Sequence, residues 1–183
     1  MATIAAPLTL EEYAAMPDPG VPMELVRGKL MMMNVLVAWH GMVCYRTAFG
    51  VGQFVEPRKL GWVLTNDAGI ITARHPATVR GADVAYCSFS RLPAGTMAAG
   101  YLPVAPEVVF EVLSPSELWS DVLEKTAEYL AAGVQAVVVL DPVNRTAHVY
   151  RNEQPPELFE DEAELRLAEI HPEFRLSLAR LFE

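Results

Sequence analysis

The sequence predicts an α/β protein, an α+β mixed sheet flanked by helices with an N-terminal β-hairpin. Three observations carry this. A strand, a helix and a strand follow one another between residues 107 and 140, which requires a parallel pair joined by a crossover. Short period-two apolar runs separated by two- or three-residue turns require antiparallel pairing elsewhere. The 183-residue length suits one domain over residues 1–183, and no internal repeat, low-complexity tract or linker divides it.

The elements follow in order. Thr9 is placed to cap a short helix over residues 10–16, with Glu11 and Glu12 in the first turn, where the helix dipole favours acids. Pro17, Pro19, Gly20 and Pro22 end it. Residues 23–26 and 29–33 read as two strands of a hairpin around Arg27-Gly28. Helical apolar spacing (Val35, Trp39, Met42, Val43, Phe49, Phe54) predicts a helix over 35–55. Gly50 and Gly52 weaken its later turns and do not form a phosphate loop, since no strand precedes them and no GK[ST] follows.

From Gly61 the period becomes two. Strands are expected at 62–65, 69–72 and 80–87, separated by Asn66-Asp67 and by His75-Pro76-Ala77. Residues 90–106 read as a loop and 107–113 as a strong strand. An amphipathic helix over 121–132 ends at Gly133, where a left-handed stop is usual. The apolar run 136–140 is a strand buried on both faces, and 146–151 pairs back on it after a turn at Asp141-Pro142-Val143-Asn144. A strand near Leu158 and a helix over 177–182 complete the chain.

The net charge of −9 argues against a protein that coats nucleic acid by neutralising phosphates. It argues less against a nuclease, because bound divalent cations supply local positive charge and acids are needed to hold them. Much of the acidity is peripheral, in residues 153–173. No apolar run is long enough to span a bilayer, and the N-terminal stretch Met1 to Pro7 lacks the basic region of a signal peptide, so a cytoplasmic protein without a membrane partner is expected. Cys44 and Cys87 have no CxxC spacing and read as buried thiols, with a redox role as the alternative.

Three acids each sit alone in an apolar strand: Glu24, Asp83 and Glu111. A carboxylate in such a place is costly unless it is paired or binds a metal. For any one of them a rim position or a salt bridge to an arginine is the simpler account. Three together favour a shared site for Mg²⁺ or Mn²⁺. In strand geometry Val109, Glu111 and Leu113 share one face. Lys125 lies on the next helix with Asp121 four residues before it and Tyr129 four after. It forms either a surface ion pair with Asp121 or, if the helix crosses the Glu111 strand, a group that positions water and offsets charge on a phosphate. His40, amid apolar residues, has a structural reading and an auxiliary site reading, and Asp121 is a second auxiliary candidate.

The segments MELVRGKLMM, GADVAYCS, PEVVFEVLSPS, DVLEKTAEYLAAGV and VVVLDPVNRTAHVY resemble the Uma2 family of the PD-(D/E)XK superfamily, over residues 8–151. The resemblance implies a restriction-endonuclease-like core and metal-dependent endonuclease activity on DNA. It implies Asp83, Glu111 and Glu24 as metal ligands, and these acids with Lys125 as the catalytic set. His40 falls where the family often has a histidine. Ala82 replaces the proline before the aspartate. Leu113 replaces the superfamily's lysine, whose place on the helix Lys125 takes. The alternatives are a catalytically inactive module binding nucleic acid or protein, and a hydrolase of another phosphoester. A homo-oligomer or homodimer is a further alternative, with Trp62, Phe89, Met97 and Tyr101 as contact candidates.

Overall fold

The computed structural model describes residues 6–17, 19–34, 36–97, 100–115 and 117–183. Val35, where the helix was expected to begin, and Met1 to Ala5 of the N-terminal reading lie outside these, as do residues 98 and 99 of the expected loop.

In order the elements are α1 (Leu10–Ala14), β1 (Met23–Val26), β2 (Lys29–Met32), α2 (Ala38–Val55), β3 (Gly61–Arg74), β4 (Ala77–Ser88), β5 (Val108–Val112), α3 (Trp119–Ala131), β6 (Ala136–Asp141), β7 (Thr146–Tyr150), β8 (Glu157–Glu160), β9 (Glu164–Leu165), β10 (Leu176–Ser177) and α4 (Leu178–Leu181). The expected capping of α1 is present as a reciprocal pair between Thr9 and Glu12. The first hairpin turns through Arg27 and Gly28, both at positive φ, as a two-residue turn between twisted strands requires.

The main sheet runs β2-β1-β4-β5-β6-β7-β8, with β3 paired to β4 as a branch. Among the described strands only β5 and β6 pair in parallel, joined through α3 as the sequence predicts. Two layers of core cover the sheet. On one face α2 and the C-terminal segment pack on Val84, Tyr86, Val108, Phe110, Val112 and Val138. On the other, Val122 and Tyr129 of α3 pack on Ala85, Val109, Val137 and Val139.

Two expectations are corrected. The strands at 62–65 and 69–72 are one strand, β3: Asn66 and Asp67 do not turn the chain but form an irregularity between Thr65 and Ala68. Both have positive φ, which is why the pair resembles a turn in sequence. β4 pairs on either side of the irregularity, so the chain continues straight through it. The buried side of α2 is His40, Val43, Thr47, Val51 and Val55, whereas Trp39 and Phe49 are exposed. This helix is apolar nearly all round, and periodicity alone cannot select its inner face.

The position of β4 creates the key feature. Along one edge β4 is paired with β3 over its whole length. The other edge is shared: β1 meets it at Val79 and β5 at Val84 to Tyr86. Between these lies an interval, residues 80–83, with no strand beside it.

Candidate active site at a break in the sheet edge

The unfilled edge of β4 exposes backbone groups that must find other partners, since buried N–H and C=O groups are nearly always bonded. Side chains supply them. Glu24 of β1 accepts from the Gly81 N–H (2.9 Å), and the Tyr129 hydroxyl of α3 donates to the Gly81 carbonyl (3.2 Å). The Asp83 carboxylate accepts from the Val112 N–H of β5 at 2.7 Å, in place of a strand partner. The sequence-predicted acids therefore meet here because the sheet is interrupted here.

Glu111 leaves β5 on the α3 face, as its alternation predicts, and accepts from Lys125 Nζ at 2.8 Å. The same ammonium lies 3.4 Å from Glu24 Oε1. The far oxygen of Glu24 bonds Arg80 (2.9 Å), whose guanidinium also holds Glu128 at 2.6 Å. Glu24 thus has the arginine salt bridge that was the simpler account of an isolated acid. Lys125 touches both Glu24 and Glu111, Asp83 lies alongside on the Val112 N–H, and all four are buried or nearly so. Asp121 is not: it is exposed and bonds Ser120, and Lys125 turns inward from it.

His40 joins the site from α2. Its Nε2 is 3.3 Å from Asp83 Oδ2, and its Nδ1 is 3.4 Å from Cys44 Sγ. Among the described residues, His40, Cys44 and Asp83 are the group whose nitrogen, sulfur and oxygen donor atoms all lie within 4.8 Å of one another. From sequence Cys44 reads as a buried thiol, with a redox role as the alternative. Its four-residue spacing from His40 on a helix was the available signal. Asp67 was read as a turn residue, yet it lines the same cavity of about 430 Å³ with Asp83, His40 and Cys44.

The electrostatics are those of an acid-rich pocket. Burial pushes the Glu111 carboxyl up to about 8, and the neighbouring Asp83 charge adds to this against the opposing Lys125 ammonium. Burial and the Asp83 charge also raise Asp67. Glu24 is the exception: burial opposes its ionisation, but Lys125, Arg80 and the Gly81 N–H together hold it below the ordinary carboxylate range. Burial works against the charged form of His40, and its bond to Asp83 and that residue's charge outweigh it, raising His40. Burial, followed by the charge of Asp83, holds the Cys44 thiol far up, in its protonated form.

Whether the residues fit a divalent cation can be tested on the geometry. Glu111 Oε1 is buried and without a well-formed hydrogen bond, the nearby Tyr129 hydroxyl being directed at the Gly81 carbonyl, a costly state for a carboxylate oxygen. The five carboxyl groups of Glu24, Asp67, Asp83, Glu111 and Glu128 outnumber the cations Lys125, Arg80 and Arg27 and the imidazole of His40 around them. Both facts fit a cation. The oxygens of Asp83 and Glu111 suit Mg²⁺ or Mn²⁺, whereas the nitrogen and sulfur of His40 and Cys44 suit a softer ion such as Zn²⁺.

The fold is shared with a solved protein described as a putative nuclease. A solved structure from Anabaena variabilis ATCC 29413, described as "a putative nuclease belonging to DUF820", matches with a TM-score of 0.84 at 23% identity, covering 96% of this chain and 98% of that one. That likeness is one of fold. A family profile described as "Putative restriction endonuclease" matches residues 10–179, and the chain belongs to that family, Uma2. Among curated proteins none matches. No helix among the described residues is long and apolar enough to cross a membrane.

The suggested contact residues for a homo-oligomer are mostly packed. The Trp62 ring sits edge-on to Phe89 and its N–H donates to Leu92 O, and Tyr101 stacks on Tyr13. Of the four, only Met97 is exposed.

Proposed function

We propose that the protein is a metal-dependent endonuclease that hydrolyses DNA phosphodiester bonds. The observation that carries this is the meeting of Asp83, Glu111 and Lys125 at the interrupted edge of β4, with one oxygen of Glu111 left without a well-formed bond. Asp83 and Glu111 would hold Mg²⁺ or Mn²⁺. When bound, the ion supplies polarisation of the phosphate and a water of lowered pKa.

The chain's own groups do the rest. Lys125 orients the attacking water and offsets the charge that develops on the phosphate oxygens. Glu24 is a positioning residue here rather than an open ligand, because Arg80, Lys125 and Gly81 already engage both its oxygens. It holds Lys125 toward Glu111. His40 meets the same Asp83 oxygen, Oδ2, that accepts from the Val112 N–H, and with it fixes the orientation of that carboxylate.

Incubation of the protein with supercoiled plasmid and Mg²⁺ or Mn²⁺ tests the proposal. Nicking that disappears with Asp83→Ala is expected. Nicking equal to that control in both metals refutes it. A second reading, an inactive module that binds nucleic acid, is favoured by Leu113, which packs with the α3-side core where the superfamily's lysine would stand. It predicts oligonucleotide binding with no cut.

A further inference from the structure

The helix that brings His40 and Cys44 to the site carries two exposed rings beside them. Tyr45 is 65% and Phe49 51% exposed, and their rings stack with centroids 5.8 Å apart and planes 22° from parallel. They line the mouth of the cavity of about 430 Å³ that reaches Asp83 and His40. Phe49 also lines a second cavity, of about 480 Å³, on the other flank of α2. Arg46, Arg175 and Arg180 line that cavity, together with the carboxylate-bearing Glu164.

In a chain of net charge −9, three converging arginines are notable for what they bond. Arg46 donates to the main-chain oxygens of Leu181 and Glu183, and Arg175 to those of Pro172 and Phe174. The ion pairs among the described residues engage Arg27, Arg80, Arg91, Lys125, Arg145 and Arg151 instead. In the lining the three arginines outnumber the one carboxylate, Glu164, so the cavity keeps an excess of positive charge for an anion. Along the surface the order is acid site, ring pair, arginines.

We propose that this track holds an unpaired polynucleotide strand, with bases stacked on Tyr45 and Phe49 and the adjoining phosphates at Arg46, Arg175 and Arg180. Only an unpaired base offers its face to a protein ring, because in a duplex the faces are occupied by neighbouring bases. A duplex is gripped chiefly through phosphate neutralisation over a broad basic surface, which a chain of net charge −9 is poorly suited to provide. The site of cleavage then sits at the end of a stacking platform. As a statement about substrate this rests on the nuclease reading above; as a statement about binding it stands apart from it.

Fluorescence anisotropy with a labelled oligothymidylate about 12 nucleotides long, in EDTA so that nothing is cut, tests it. The wild-type chain should bind this strand more tightly than the same length of duplex. Tyr45→Ala and Phe49→Ala, both at exposed positions, should each weaken binding roughly ten-fold. Arg180→Ala should lower the slope of log affinity against log salt by about 0.7. An oligouridylate arm identifies the preferred backbone, and tighter binding of either single strand than of duplex supports the track. Duplex bound as tightly as the single strand, or unchanged affinity in both ring variants, overturns it. So does light scattering that shows a dimer dispersed by Tyr45→Ala, since a second copy would then occupy the rings. Plasmid nicking by a chain that fails here removes the track and leaves the nuclease proposal intact. A strand bound at the rings with no cutting in any metal does the reverse.

Discussion

Replacing Lys125 by methionine separates what this side chain does for folding from what it does for chemistry. The ammonium lies 2.8 Å from Glu111 and 3.4 Å from Glu24 and is 11% exposed, so it belongs to a buried network. Removing one partner of a buried pair typically costs about 3–5 kcal/mol. Here the loss falls unevenly. Glu24 keeps Arg80 and the Gly81 N–H. Glu111 loses its ammonium while its other oxygen has no well-formed bond. Its carboxyl already stands near 8, so it can escape by taking up a proton, which sets the expected loss at the low end, about 3 kcal/mol. The double variant Lys125→Met with Glu111→Gln removes both charges and should regain most of that loss. Urea unfolding in EDTA reads the stabilities, and plasmid nicking in Mn²⁺ reads the chemistry. The expected pattern is stability restored in the double variant with nicking absent from both. A single variant within about 1 kcal/mol of wild type would refute the buried-pair reasoning, and nicking retained by Lys125→Met would refute the catalytic role.

Asp83→Asn should abolish nicking while the circular dichroism spectrum stays unchanged, because the amide oxygen can still accept from Val112. Cys44→Ala should leave nicking in Mg²⁺ nearly unaltered, since that ion takes oxygen ligands; in the wild type Zn²⁺ should compete at His40, Cys44 and Asp83, and the variant should need at least several-fold more Zn²⁺ for the same inhibition. Tyr129→Phe deletes a buried donor to the Gly81 carbonyl and should destabilise by about 1 kcal/mol in thermal or urea unfolding. Gly28→Ala should destabilise by more than 1 kcal/mol, because φ is +75° there and a Cβ would lie 2.4 Å from that of Pro7.

What the sequence discloses depends on the range of the interaction. The face of Glu111 was legible because strand alternation is local: Val108, Phe110 and Val112 enter one core and Val109 the other. The hairpin and the parallel crossover were legible for the same reason. The partners of Glu24 were not. Arg80 is 56 residues away, and nothing in either segment shows that β1 and β5 stop short of each other along β4. Asn66-Asp67 misled because left-handed backbone is common to turns and to strand irregularities, and only the pairing of β4 on both sides distinguishes them. Phe49 was counted toward a core because apolar residues at helical spacing usually face one. On α2 the inward positions include His40 and Thr47 instead. The site residues that periodicity missed, Cys44 and Asp67, lie at positions where an inert reading was equally consistent with their neighbours.

The gap along β4 also bears on how this chain would evolve. Glu24 and Asp83 stand in for absent strand neighbours, so the fold itself favours a side chain that accepts a backbone hydrogen bond at either position, whatever the selection on chemistry. A descendant under no selection for chemistry would therefore keep an acceptor at both positions, though not necessarily a charge. At Glu111, which bonds Lys125, disuse would show as the two positions changing together, since losing either alone leaves the other buried without its partner.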